Sequence, residues 1–542
     1  MGKIRLLDCT LRDGGYVNDW EFGHNNIVSI FQRLITAGVD IVEVGFLDER
    51  RPFDINRSIM PDTASVKKIW GGISSRPDMI VGMVDYGTCK IENLEPCQES
   101  FLDGIRVIFK KHIMREALDY CAKVKQLGYK VFVQLVSITS YSEEELLELV
   151  KLVNNVKPYA VSMVDTYGLL TPGDLLNYYE ILDKNVLPEI RIGFHAHNNF
   201  QLGFANAITF MEKNTAHDIV VDGTLFGMGK SAGNAPLELI ADYMNTKYKT
   251  GYNVSSLLEA VTESIMDFYT ENPWGYQMMY YLSAANGCHP NYVSYLYGKD
   301  NLSVTKINHI LSNIEPEDKK LLYDQDVAKE IYEDFVVQGI GEQNTLSIMR
   351  NELLERTILL MGPGKNIKLQ KTAIDAYINK NNPVVIAINH LPDDYSVDYI
   401  FVTKHNRYLE LAADLCDEKN KGVKLIATSN VEERGHKFAY ILDRAPLLDK
   451  KSHIKDNSFL MLLKVLKRLG INEVTCAGFD GYSAKDENYY NPKMEYPFVK
   501  EEAYGLNTYI KQALNSTFKD MDIQFLTYSH YTEEEDSYSG RF

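Results

Sequence analysis

Residues 191–234 read RIGFHAHNNFQLGFANAITFMEKNTAHDIVVDGTLFGMGKSAGN. The stretch opens on a short apolar run, passes through a helical pattern, returns as the run IVVDG and ends in a glycine-rich loop. That is strand, helix, strand. The same alternation extends back to the N-terminus through IRLLDCT, DIVEVGFL, MIVGMVDY, GIRVIFK, KVFVQLVSI and AVSMVDTYG, so the first 240 or so residues hold eight strand candidates. Their near-continuous apolar character is that of strands covered on both faces, as in a parallel sheet. Between them lie helical patterns. NNIVSIFQRLITAGV repeats apolar residues at three- and four-residue spacing and stops at Gly38. Ser142 to Glu145 has the form of a capping box, and Thr171-Pro172 offers an N-cap followed by proline at the first helical position. Eight strands with seven intervening helical stretches predict a (β/α)8 TIM barrel.

Beyond the barrel, assigned to residues 1–245, the stretch 246–345 carries amphipathic helix patterns and reads as a helical extension that completes the active site. A new α/β pattern begins near 350. TILLMGPGKNI, PVVIAINH, DYIFVT, VKLIATS, FAYILD and EVTCAGFDG are strand candidates, and LKVLKRLG is a helix ending at Gly470. Residues 350–542 are therefore expected to form a second, open-sheet α/β domain of Rossmann-like type. The closing stretch 533–542 is expected to fray.

The chain has 542 residues, 45% apolar and 24% charged, which is ordinary globular composition and excludes disordered and collagenous classes. A net charge of −17 disfavours nucleic acid as a partner. No apolar run reaches the length of a membrane span, and MGKIRLLDCTLRDGG has no apolar core of a secretory leader. The seven cysteines are scattered without a C-x-x-C pair, so a reducing cytoplasm is the expected compartment.

In such a barrel the reactive groups gather at the carboxyl ends of the strands. The first strand ends in Leu11-Arg12-Asp13-Gly14-Gly15-Tyr16, a cation beside a carboxylate. The seventh ends in His195-Ala196-His197, and strand alternation puts both imidazoles on one face. The eighth leads into a glycine-rich loop from Asp222 to Asn234. One Asp, two His and one Asn make a donor set for a divalent metal. Without a thiolate, Mn²⁺ or Mg²⁺ come first, with Co²⁺ or Zn²⁺ as alternatives. A 2-oxo acid would chelate such an ion, and the ion would act as a Lewis acid for C–C bond chemistry.

The pattern resembles the DRE-TIM metallolyase superfamily, the HMG-CoA lyase-like enzymes, and among them 4-hydroxy-2-oxovalerate aldolase. The resembling motifs are Asp8 to Gly14, Val42 to Phe46, Val164-Asp165-Thr166, Gly193 to Asn198 and Gly229 to Asn234. By that resemblance Asp13, His195 and His197 are metal ligands, with Asn234 a fourth. Arg12 stabilises the enolate of a 2-oxo acid. Asp165, Thr166 and Glu43 belong to the substrate site, and Tyr292, in His289-Pro290-Asn291-Tyr292, is an acid/base or positioning residue. The departure is Tyr16, where the aldolases carry His as base. A phenol with a pKa near ~10 is a poor base at neutral pH. His24, Glu43 and Tyr292 are stand-ins that the residues leave unranked.

The implied activity is a divalent-metal-dependent lyase that releases pyruvate and an aldehyde from a 4-hydroxy-2-oxo acid. A Claisen-type synthase joining acyl-CoA to a 2-oxo acid is the alternative. Met361-Gly362-Pro363-Gly364 and Ala477-Gly478-Phe479-Asp480-Gly481-Tyr482 resemble motifs of bacterial glycosyltransferase-like domains related to motility accessory factors and family-42 sialyltransferases. That resemblance implies a nucleotide-sugar cleft lined by Gly362, Gly364 and Asp480 in a bifunctional carbohydrate-assembly protein. A docking or oligomerisation domain is the competing reading. The expected partners are a small 2-oxo acid and further copies of the chain. The resemblance also raises an acylating dehydrogenase, of which the chain itself carries no sign.

Overall fold

Eight of the apolar runs become parallel strands, because each residue of such a run is covered from one face or the other. They are β1 (Ile4–Asp8), β2 (Ile41–Leu47), β3 (Met79–Asp85), β4 (Gly104–Phe109), β5 (Lys130–Leu135), β6 (Ala160–Asp165), β7 (Arg191–Ala196) and β8 (Ile219–Gly223). Each pairs in parallel with the next, and β1 pairs with both β2 and β8 (Leu7 opposite Ile41, Ile4 opposite Ile219), which closes the barrel. A two-residue strand, Ile59–Met60, adds to β2. The protein is described by a computed structural model. It covers residues 2–213, 215–299, 302–315, 318–337, 342–449, 454–495 and 498–532, so the stretch 533–542, expected to fray, lies outside the described residues.

Helices α1 (His24–Ala37), α2 (Thr63–Trp70), α3 (Met114–Gln126), α4 (Glu143–Val156), α5 (Pro172–Asn185) and α6 (Gly203–Met211) carry six of the seven crossovers. Glycine at 38 closes α1 in the left-handed region. Ser142 and Glu145 form a reciprocal capping box on α4, and Thr171 and Asp174 do the same on α5 with Pro172 inside. The seventh connection, β3 to β4, departs from expectation. It crosses in two short 3-10 turns, Ile91–Asn93 and Cys97–Glu99, since Pro96 and the polar residues around it offer no apolar stripe for a helix to bury.

Inside the barrel the inward side chains stack in layers. Leu7, Ile41, Met79, Val81, Phe132, Ala160 and Val220 form an apolar floor. Two residues further along their strands, Gln134, Ser162 and Asp222 are buried and polar, as is Arg106 on β4. This change of character along each strand places the chemistry at the carboxyl mouth.

Contacts divide the chain into two units, residues 1–298 with 311–324, and residues 299–310 with 325–542. The stretch 246–345, expected as one extension, is thus shared between them. The second unit holds β9 (Ile358–Met361), β10 (Val384–Ile388), β11 (Tyr399–Val402), β12 (Lys424–Thr428), β13 (Tyr440–Leu442), β14 (Glu473–Ala477) and β15 (Asp522–Phe525), in the order β13-β12-β11-β10-β9-β14-β15 and all parallel. Ile358 and Leu360 pack on one face and Leu359 and Met361 on the other, so the sheet is covered on both sides. Six of these strands were legible as apolar runs. β15 was not, because its short DIQF alternates between exposed and half-buried residues. The direction of the connections reverses at β9, which lies between β10 and β14. No helix among the described residues is long and apolar enough to cross a membrane.

Candidate metal centre and active site

The chain turns sharply after β1. Asp8 accepts from the Thr10 amide at 3.1 Å and from the Thr10 hydroxyl at 2.6 Å, and Thr10–Asp13 forms a single helical turn. The Trp20 indole N–H donates to the Arg12 carbonyl at 2.8 Å, and the Ser58 hydroxyl to the Leu11 carbonyl at 2.6 Å. Those bonds hold Arg12 and Asp13, both buried, over the mouth.

Asp13 is the hub. Its Oδ2 lies 3.3 Å from His195 Nε2 and 3.8 Å from His197 Nε2, and ligand atoms of the three residues fall within 4.8 Å of one another. Its Oδ1 accepts from the Lys230 amide at 3.1 Å and from Asn234 Nδ2 at 3.0 Å. A side chain at Gly229 would put its Cβ 2.0 Å from Asn234 Nδ2 and 2.7 Å from Asp13 Oδ1, so this glycine of the loop leaves the room those two groups use.

Each imidazole is oriented from behind. His195 Nδ1 faces Asp222 Oδ2 at 3.1 Å, and His197 Nδ1 faces the Gly233 carbonyl at 3.2 Å. An acceptor at Nδ1 draws the proton there and leaves the Nε2 lone pair bare, the arrangement that metal-bound histidines show. His195 Nε2 and Asn234 Oδ1 are buried without a hydrogen bond. Three lone-pair donors converging on one point, with a fourth unsatisfied beside them, fit a divalent cation. Cys9, His195 and Asp222 also approach one another. Burial, however, pushes the Cys9 thiol well up, and His195 Nδ1 is already taken by Asp222, so the cluster on Asp13 is the better cradle.

Beneath it runs a buried ionic network. Arg12 Nε donates to Glu43 Oε2 at 2.8 Å, and Arg12 also pairs with Asp13. Arg106 donates to the same Glu43 oxygen at 2.9 Å, to Gln134 Oε1 at 3.1 Å and to Asp222. Burial favours a neutral Asp13, but Arg12 and the histidines outweigh it and hold the carboxyl well below its usual range. Burial lowers His197 to about 4, so it stays neutral. His195 is raised, since the nearby carboxylates of Asp13 and Asp222 outweigh burial.

The structure brings together Arg12, Asp13, Glu43, His195, His197 and Asn234. Tyr16 stands at the mouth, 44% exposed, edge-on to Trp20 with centroids 4.9 Å apart. Desolvation and the Asp13 charge move its phenol further above its ordinary value, which runs against a role as base. Asp165 spends its carboxylate on the amides of Leu169 at 2.8 Å and Leu170 at 3.1 Å, and burial raises it to about 6. Thr166 accepts from the Ser137 amide at 2.7 Å, so Asp165 holds its own loop and Thr166 ties it to the loop after β5. Tyr292 is not brought to the cluster. It is fully buried, and its hydroxyl donates to Lys319 O at 3.1 Å and accepts from the Asp324 amide at 3.2 Å. His24 starts α1 with its amide on Asn56 and makes no hydrogen bond to the cluster. Arg106, Asp222 and Lys230 escaped assignment from sequence. The only signal for Arg106 was a lone charge inside the apolar run GIRVIF.

The HMGL-like family model matches residues 3–263. A 4-hydroxy-2-oxovalerate aldolase from Pelotomaculum thermopropionicum is 27% identical over 266 residues, covering 48% of this chain and 76% of that protein. Another, from Chloroflexus aurantiacus, is 28% identical over 290 residues, covering 49% and 78%. Among solved structures, the HMG-CoA lyase of Bacillus subtilis overlaps with a TM-score of 0.40 at 17% identity, over 49% of this chain and 93% of that one. The closed barrel, its H-x-H strand and the family match agree: residues 3–263 are an HMGL-like domain, a member of the DRE-TIM metallolyases, a superfamily of carbon–carbon lyases.

Proposed function

We propose that the barrel is a divalent-metal-dependent aldolase that cleaves a 4-hydroxy-2-oxo acid to pyruvate and an aldehyde. The observation that carries this reading is the convergence of Asp13, His195 and His197 beside a buried Arg12 at the carboxyl mouth. Asp13, His195, His197 and Asn234 would hold the cation, which when bound supplies Lewis-acid polarisation of the keto group. As the C3–C4 bond breaks, the C4 hydroxyl loses its proton to water and becomes the aldehyde carbonyl, the electron pair of the bond stays on the pyruvyl half, negative charge develops on the former keto oxygen, and a proton taken up at C3 completes pyruvate. Arg12 would meet that charge. Its guanidinium is locked by Glu43 and Asp13 and needs no reorganisation during the reaction. Glu43 is then a positioning residue for Arg12, and Tyr16 a hydrogen-bond donor at the mouth.

The test is twofold. Metal analysis of purified protein should find about one divalent ion per barrel. Pyruvate release from 4-hydroxy-2-oxovalerate should be lost in Asp13→Asn, along with the ion. A variant as fast as the parent would place the chemistry elsewhere.

For the second unit, the reading as a nucleotide-sugar cleft draws support from the meeting of its two glycine motifs where the sheet reverses, the place where open α/β sheets bind ligands. Gly362 N donates to Ala477 O at 2.8 Å, Gly364 N to Gly478 O at 2.8 Å, and Asn366 N to Asp480 Oδ2 at 2.8 Å. Asp480 Oδ1 is buried without a partner. Nucleotide sugars should then raise the melting temperature by mass action. No shift with any of them favours the docking reading.

A further inference from the structure

The glycine-rich loop carries one side chain that the aldolase reading does not use. Lys230 lies between two aromatic rings, with Nζ 5.6 Å from the centroid of Tyr16 and 5.9 Å from that of Tyr167. Its own amide is bonded to Asp13, so the backbone from which the side chain springs is anchored to the hub of the cluster. Among the described residues Asp13 is the one carboxylate that acts on it. The other acids near the mouth are engaged. Asp165 is held by Leu169 and Leu170, and Asp85 faces Lys110 and Arg50. Desolvation also weighs on the ammonium, which a cation free to reach water would escape.

The charge balance sharpens the point. In the hydrogen-bonded network, the three carboxylates of Asp13, Glu43 and Asp222 face the two guanidinium groups of Arg12 and Arg106. A divalent cation on Asp13 leaves that network one positive charge in excess, and the C1 carboxylate of a single 2-oxo acid neutralises it. Lys230 adds a further cation for which that substrate has no anion left. Buried or half-buried charges are kept where a partner meets them.

We propose that Lys230 receives a second anionic group of the substrate, remote from C1, so that the site prefers 2-oxo acids with a terminal carboxylate over those ending in a methyl group. This rests on the aldolase reading of the same site. It adds a class of substrate, the dianionic 2-oxo acids, and a residue that selects it. Tyr16 and Tyr167 flank the ammonium and limit its excursions, which keeps the ordering cost of the ion pair low.

Calorimetric titration of the metal-loaded full chain with 2-oxoglutarate and 2-oxovalerate tests it. The two probes share five carbons and differ only in the terminal group, and neither has the hydroxyl needed for cleavage. The parent should bind 2-oxoglutarate roughly tenfold or more tightly, the worth of one charge-assisted hydrogen bond. Lys230→Met and Lys230→Gln should lose that preference while metal affinity and melting temperature match the parent, and Lys230→Arg should retain most of it. Equal binding of the two probes by the parent, or a preference that survives Lys230→Met, overturns the inference and leaves the aldolase reading standing. Binding of neither probe by protein that does hold the metal overturns both.

Discussion

Above the barrel's apolar floor, Arg106 pairs as an ion with Glu43 and Asp222, Glu43 also pairs with Arg12, and Asp222 meets the His195 ring, all of them buried. At the carboxyl end of the open sheet the corresponding groups are neutral. Thr403 N donates to Asn389 Oδ1 at 3.0 Å, Asn389 Nδ2 donates to Ser458 Oγ at 2.8 Å, and the Thr403 and Ser458 hydroxyls lie 2.6 Å apart. A buried ionic network is costly to assemble and more costly to break in part, since removal of one member strands its partners in a low dielectric. Neutral pairs carry no such penalty. The difference teaches where each unit holds its chemistry: among the described residues the barrel mouth stores a connected network of buried ions, while in the open-sheet unit buried Arg407 pairs with the exposed Glu410 and Asp480 is met by the Asn366 amide.

Four substitutions sharpen or break that comparison. The largest effect is expected from Arg106→Met, which leaves Glu43 with Arg12 alone and Asp222 with only the His195 ring, and should cost about 3–5 kcal/mol in denaturant unfolding of the barrel. A loss below ~1 kcal/mol would mean the network is not under tension. Next is Asp222→Asn, which weakens the group that orients His195. Metal affinity should fall about 10–100-fold with the fold retained, as read by metal titration.

The third concerns pH. Burial, against a bond from the Asn366 amide, raises Asp480 to about 6. An unfolded carboxylate titrates near ~3.9, so the folded chain holds this proton to higher pH, and the group subtracts stability as pH rises from about 4 to 6. Asp480→Asn should therefore melt higher than the parent at pH 7 and no higher at pH 4. A difference that does not change with pH would show that the carboxyl is not the titrating group. The smallest effect belongs to Ser458→Ala, about 1 kcal/mol for a neutral hydrogen bond. A loss as large as that of Arg106→Met would erase the distinction between the two edges.

Much of this architecture is legible in the sequence. The eight apolar runs, the capping boxes at Ser142 and Thr171 and the stop at Gly38 are local signals, and local signals survive because the fold does not overrule them. The alternation of His195 and His197 placed both imidazoles on one face, which the structure shows. What the residues did not show is who else meets there. Tyr292 matched a motif yet spends its hydroxyl on backbone groups of 319 and 324. Asp165 and Thr166 matched another, and there Asp165 bonds its own loop and Thr166 the amide of Ser137 in the neighbouring one. Arg106 sits on the fourth strand, 116 residues before Asp222, and no spacing rule joins them.

By itself, then, the order of apolar and polar residues determined a closed parallel barrel followed by an open sheet, because side-chain period and strand burial are properties of short segments. It also determined that Asp13, His195, His197 and Asn234 end up near the barrel mouth. Only the tertiary structure decided which lone pairs face inward, which carboxylates are already neutralised by Arg12 and Arg106, and that among the described residues Asp13 is the carboxylate whose charge acts on Lys230. Those outcomes depend on contacts between strands far apart in the chain, and electrostatic energy in a low dielectric is set by distance and burial rather than by sequence neighbours.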